Sequence, residues 1–164
     1  MFSNLSPFTK LHVVISLIGI VSGLVVMFGL LVGRRLYGWT ALFLISILLT
    51  SMTGFFFPFH GVTPAIVVGI ISLVLLAVAI VARYARHLAG AWRWIHVVTA
   101  MISLYLNVFV LIVQLFQKVP ILKALAPTQS EPPFAVVQLV VLALFVVLTI
   151  TAAIRSRGEQ FRMA

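Results

Sequence analysis

Five apolar runs constrain this chain more than any other feature: Leu11 to Gly33, Trp39 to Phe59, Pro64 to Ala82, Trp94 to Gln117 and Phe134 to Ala153. About twenty apolar residues cross the hydrocarbon of a bilayer as a helix, and backbone hydrogen bonding leaves only helices or closed barrels there. Hydrophobicity that is continuous rather than alternating selects helices. The expected fold class is all-α, a polytopic transmembrane helix bundle of five spans. It forms one domain over residues 1–164, with a structured outer loop at 118–133. A composition 63% hydrophobic and 8% charged leaves no polar stretch long enough for a second core.

Five spans put the chain ends on opposite sides, and the basic residues sort them. Arg34, Arg35, Arg83, Arg86, Arg93, Arg155, Arg157 and Arg162 fall on one side, against Lys10, Lys118 and Lys123 on the other. The positive-inside rule makes the arginine side cytoplasmic, with the C-terminus inside and the N-terminus outside. Tyr37, Trp39, Tyr84, Trp92 and Trp94 fall on that same side as an aromatic belt. The net charge of +9 therefore suits anionic lipid headgroups, and nucleic acid is set aside. Leu11 to Gly33 is full spanning length without a signal-peptidase site, so it reads as a retained first span.

What the chain lacks excludes more chemistry than any motif suggests. Cysteine is absent, which removes disulfides, thiolate metal sites and covalent haem attachment. Aspartate is absent and glutamate occurs only at Glu131 and Glu159, so paired carboxylates and acidic proton relays have no residues to be made from. Ser103 and His96 have no acid to orient the imidazole, and no hydrolase is expected.

The fourth span carries the polar atoms. At the helical period His96, Thr99, Ser103, Asn107, Gln114 and Gln117 share an arc of about 80 degrees. Such a face turns inward, toward partners on other helices or a small wet cavity. With Gln138 of the fifth span, His96, Thr99, Ser103, Asn107 and Gln114 form the candidate site, a lipid or quinone pocket beside Asn107 and Gln138 or a set of cross-helix hydrogen bonds. The polar face is expected against the first and fifth spans. On the first span His12, Ser16, Gly19 and Gly23 share a face, and the G-x-x-x-G pair suits close packing within the chain or a homo-oligomer. Ser46, Thr50 and Thr53 read as cross-helix hydrogen-bonders. Ala65, Gly69, Ser72 and Ala79 form a small-residue stripe that ends in Arg83.

Four histidines allow one alternative. His12 and His60 fall near the outer face and His87 and His96 near the inner one, as a pair of b-type haems would require, although none lies deep within a span. No cofactor is expected otherwise. His12, His60 and Glu131 lack any ligand-spacing motif, and no metal site is expected. A small-molecule transporter or channel ranks third, because neither a broken helix nor an internal repeat is present. The loop after the fourth span is stiffened by Pro120, Pro127, Pro132 and Pro133. It holds a possible interfacial helix over Ile121 to Ala126 and suits a cap on the bundle. Arg155 to Ala164 reads as a basic, mobile tail.

Trp92-Arg93-Trp94, Leu104-Tyr105-Leu106-Asn107 and Ala126-Pro127-Thr128-Gln129-Ser130-Glu131-Pro132-Pro133-Phe134 together resemble a group of small polytopic bacterial inner-membrane proteins. The resemblance implies a multi-pass inner-membrane setting and brings no activity, cofactor or functional residue with it. The expected function is that of a non-catalytic accessory or scaffolding protein, with membrane lipids and a larger membrane complex or a second copy as the expected partners.

Overall fold

The computed structural model describes residues 6–57 and 64–161. They form helices α1 (Pro7–Leu31), α2 (Tyr37–Gly54), α3 (Pro64–Ile80), α4 (Trp92–Lys118), α5 (Pro120–Leu125) and α6 (Pro132–Phe161), and among the described residues there is no strand. Five helical stretches, including Ile66–Ala85 at α3, are long and apolar enough to cross a membrane.

The helix ends follow local chemistry. α1 starts a turn before its apolar run, because Ser6 Oγ accepts the Thr9 N–H at 3.2 Å and Pro7 takes a first-turn position that needs no N–H. α2 stops at Gly54 rather than Phe59. Phe57 precedes Pro58 and is steered away from the α region, and the chain turns with Phe55 N–H on Met52 O and Phe56 N–H on Thr53 O. The turn expected at His60 to Thr63 lies outside the described residues. α3 widens into a π turn over Val81–Ala85, in which Arg86 N–H reaches Val81 O at 2.9 Å. The chain then reverses through His87 and Leu88, both left-handed at φ 48° and 56°, with Leu88 N–H held on Ala82 O. The expected mobile tail is corrected in part. α6 continues to Phe161, since Arg155 donates through Nη1 to Leu31 O at the end of α1 and Ser156 is buried.

Neighbours in the bundle run α1, α2, α3, α4, α6 and back to α1, and α4 leans inward far enough to touch α2 as well. Its contacts reach every other helix. Val26, Met27, Phe43, Leu44, Ile47, Leu76, Val97, Met101 and Leu104 form the core between them. Gly19 and Gly23 are pressed into this core. A Cβ on Gly23 would stand 2.6 Å from Leu104 Cδ1 and 2.8 Å from the Phe43 ring, so the G-x-x-x-G pair serves packing within the chain.

α6 lies on the side of α4 opposite the polar arc, which differs from expectation. That side carries Tyr105, Ile112 and Phe116. Phe145 and Phe134 of α6 interlock with it, Tyr105 to Phe145 at 5.6 Å between centroids and Phe116 to Phe134 at 5.3 Å edge-on. The loop around α5 folds back as a cap, with Ala126 fully buried against Ile112 and Phe116 and Gln129 Nε2 donating to Val113 O at 3.1 Å. Glu131 holds the turn before α6, accepting from Thr128 N–H, the Thr128 hydroxyl and Ser130 N–H. Desolvation, the largest single influence, pushes its carboxyl up; the hydrogen bonds together outweigh it and hold the carboxyl below the usual range.

Candidate functional site

The polar stripe of α4 divides along its length. In the middle Ser103 is fully buried, and both Ser103 and Thr99 turn their hydroxyls back onto their own helix, Ser103 to Thr99 O at 2.9 Å and Thr99 to Ile95 O at 2.7 Å. Packing closes that level, with Leu104 seated against Gly23. On either side of it a space remains.

Toward the α5 end, Asn107 and Gln114 face a cavity of about 560 Å³ between α1, α2, α3 and α4. Its walls are mostly apolar, including Val13, Leu17, Val68, Val110 and Leu111, and Ser16, Thr50 and Ser51 add hydroxyls. Lys118, among the described residues lining it, alone carries a permanent charge. Small residues on three helices help to line the space. Ser16, Gly54, Gly69 and Ser72 all line it, and a Cβ on Gly54 would find nothing nearer than His12 Cε1 at 3.8 Å.

The hydroxyls of this cavity do not all bond back onto their own helices. In an apolar helix a Ser or Thr hydroxyl ordinarily bonds back to the carbonyl one turn earlier. Ser22, Thr40, Thr50 and Thr53 do so here, at 2.6 to 2.8 Å. Ser72, midway along α3 and 2% exposed, does not: the residue borders the cavity, but its Oγ is buried and has no hydrogen-bond partner in the chain. An unpaired buried hydroxyl costs free energy unless something from outside the chain bonds it.

His12 is oriented by α2. Its Nδ1 lies 2.8 Å from Thr53 Oγ1, and the Thr53 hydroxyl has only carbonyls, Leu49 O at 2.6 Å and Thr50 O at 3.2 Å, to donate to. Nδ1 is therefore the donor, which assigns the tautomer of the neutral ring and leaves Nε2 as an acceptor. The ring edge rests on Phe57 at 5.1 Å. Thr53 thus does bridge helices, as acceptor for His12, while Thr50 does not.

At the opposite, arginine-rich end a smaller cavity of about 50 Å³ is lined by Arg34, Arg35, Arg83, Arg93, Thr40 and His96. His96 is buried there and its Nδ1 donates to Ala79 O at 2.9 Å. Arg83 lies over the rings of Tyr37 and Tyr84 at 5.3 and 5.7 Å, and Arg86 over Trp92 at 5.1 Å, so the aromatic belt and the basic residues interleave.

The candidate residues are thus placed apart. Asn107 and Gln114 share the large cavity, His96 belongs to the small one, and Thr99 and Ser103 belong to neither. Gln138 does not line the cavity with Asn107. It sits against the other side of α4, donating to Phe109 O at 3.3 Å, with its Oε1 buried and unpartnered. The pocket expected beside Asn107 and Gln138 is instead bounded by Asn107, Gln114, His12 and Ser72. Of the haem candidates, His12 and His96 stand at opposite ends of the bundle, His87 is exposed in the connection, and His60 lies outside the described residues. No group of three or more His, Asp or Glu side chains gathers among the described residues. The sequence marks His12 and Ser16 as one face but gives Ser72 only a packing role, since its lack of a partner depends on how four helices align in depth. No family model, curated protein or solved structure matches this chain.

Proposed function

We propose that the chain is a non-catalytic accessory protein of a bacterial inner membrane that holds one lipid-soluble molecule, a lipid or a quinone, between α1, α2, α3 and α4. The cavity of about 560 Å³ carries this reading. It falls within the size range of small-molecule sites, and it combines apolar walls with a few uncharged polar groups, as such sites do. No carboxylate is among the described residues that line it, and Glu131 is engaged in the capping loop, which supports binding over acid–base chemistry. The proposed orientation is N-terminus outside and C-terminus cytoplasmic. It sets Arg34, Arg35, Arg83 and Arg86 among anionic headgroups, and a reporter fused at Arg162 tests it by its cytoplasmic activity.

Native mass spectrometry of the protein released from nanodiscs tests the binding. One small lipophile per chain is expected in the parent protein and in Gln138→Leu, and it should be lost from Asn107→Leu combined with Gln114→Leu. A parent protein released bare, or retention that is the same in all three, overturns the reading.

A further inference from the structure

The chain carries more arginine than its own acidic side chains can neutralise. Those side chains are Glu131 and Glu159. Glu131 is engaged at the α5 end by Thr128 and Ser130, so Glu159 is the one acidic side chain that remains for the arginines at the other end of the bundle. Four of these, Arg34, Arg35, Arg83 and Arg93, line the cavity of about 50 Å³. They come from three elements: Arg34 and Arg35 from the connection between α1 and α2, Arg83 from the π turn after α3, and Arg93 from the first turn of α4. α2 and α4 begin beside the cavity with no side-chain cap and no acidic residue in the first turn, and the positive ends of their dipoles add to the same field. Val26, Leu30, Val97 and Ala152 give the space an apolar wall, which lowers the local dielectric and strengthens an electrostatic bond made there. Like charges gathered in such a place repel one another unless an anion sits among them.

Size and direction narrow the anion. At about 10–15 Å³ for each water-sized group the space takes roughly four, the number of oxygens on a phosphate, and it is too small for an acyl chain. A carboxylate is planar, and one guanidinium fork satisfies both its oxygens. Guanidinium groups arriving from three elements suit a tetrahedral anion with more oxygens to share. Arg83 is already held over the rings of Tyr37 and Tyr84, so it loses less freedom on binding than an unsupported side chain would. We propose that this cavity is a binding site for one phosphate group, held by Arg34 and Arg83, with Arg35 and Arg93 adding to the positive field around it. The group is carried by an anionic phospholipid headgroup or by free phosphate, and basic pockets between membrane helices are a recurrent kind of site for lipid phosphates. Such a site goes beyond the general attraction of interfacial arginines for headgroups, and it stands independently of the large cavity at the other end of the bundle.

The test uses the full-length protein in dodecyl maltoside, which is uncharged and free of phosphate, at fixed ionic strength. It is titrated separately with inorganic phosphate, with dioleoyl phosphatidylglycerol, and with dioleoylglycerol, which has the same acyl chains and no phosphate. Native mass spectrometry and tryptophan fluorescence follow binding, and thermal melting confirms that each variant is folded. One phosphate-bearing ligand per chain is expected, bound at least about tenfold more tightly than dioleoylglycerol. Arg34→Gln and Arg83→Gln should each weaken it by about tenfold, the scale of one lost charge-assisted hydrogen bond. Arg34→Lys, which keeps the charge and loses the fork, should fall between the parent and Arg34→Gln. Arg86→Gln removes the same charge from an exposed guanidinium that stacks on Trp92 outside the cavity, and it should leave binding unchanged. If Arg83→Gln fails to fold, the exposed Arg34 carries the decision. Binding of phosphatidylglycerol alone assigns the site to the headgroup, binding of inorganic phosphate alone to the free ion, and competition between them to the group in either form. An equal loss in Arg86→Gln and Arg34→Gln would mean a diffuse surface field and overturns the site. So does binding of both phosphate compounds no tighter than that of dioleoylglycerol. Asn107→Leu with Gln114→Leu should change none of these results, so a failure here is separate from a failure of the large cavity.

Discussion

Three glycine-to-alanine substitutions separate the effect of packing from that of backbone freedom. In a helix interior Ala is favoured over Gly by about 1 kcal/mol, so each substitution begins with that gain. At Gly38, in the first turn of α2, a Cβ meets nothing within 4 Å; the gain there is smaller than in a helix interior but nothing opposes it. At Gly19 the nearest atom is Ile47 Cδ1 at 2.8 Å, the far end of a side chain, with Ser46 Cβ next at 3.3 Å. A modest rearrangement should cancel the gain and leave stability near that of the parent. At Gly23 the Cβ would press on Leu104 at 2.6 Å and on two atoms of the Phe43 ring at 2.8 and 2.9 Å, and both neighbours are themselves buried. Overpacking of a filled core costs about 1–3 kcal/mol, for a net loss of about 1 kcal/mol. SDS-driven unfolding in mixed micelles, followed by the fluorescence of Trp39, Trp92 and Trp94, should rank Gly38→Ala above the parent, Gly19→Ala beside it and Gly23→Ala below it. The ranking should not change with protein concentration, because the contact is within one chain. Gly23→Ala as stable as Gly38→Ala, or a loss that grows on dilution, would refute the reasoning.

Other perturbations act locally. Ser6→Ala removes the side-chain cap of α1 and should cost about 1 kcal/mol, read as faster amide exchange at Thr9. Gln138→Leu gives up a 3.3 Å bond of about 0.6 kcal/mol in a membrane but also removes a buried, unpartnered oxygen, so the unfolding midpoint should stay level or rise slightly. Glu131, whose folded carboxyl is held below its unfolded range, contributes stability that is present above the unfolded value and is lost as pH falls through the folded one. Amide protection at Thr128 and Ser130 should therefore hold from neutral pH through the ordinary carboxylate range and decline only below it. In Glu131→Gln it should show no such pH dependence.

Properties that reside in one helix were legible from sequence. The apolar runs, the inward polar face of α4, Pro64 opening α3, the short helix after Pro120 and the close packing of Gly19 and Gly23 each follow from the period of a helix or the chemistry of one residue. Properties that need two helices in register were not. Asn107 and Gln138 are both polar and buried, yet whether they meet depends on which face of α4 receives α6, and the rings at Tyr105 and Phe116 decide that. Ser72 reads as a small packing residue until it is seen to border one cavity with Ser16, Gly54 and Gly69. The helix ends moved for local reasons: Ser6-Pro7 extends α1, while Phe57-Pro58 ends α2 early.

Photo-crosslinking tests the central claim, that a small lipophile occupies the space beside α4, most directly. A photoreactive amino acid at Val110, which lines the cavity, is compared with one at Val140 on the exposed face of α6, and the adducts are weighed by mass spectrometry after irradiation in native membranes. The account predicts one dominant small adduct at Val110 that is absent at Val140, where only the bulk phospholipids should be captured. The same adduct distribution at both positions would contradict it.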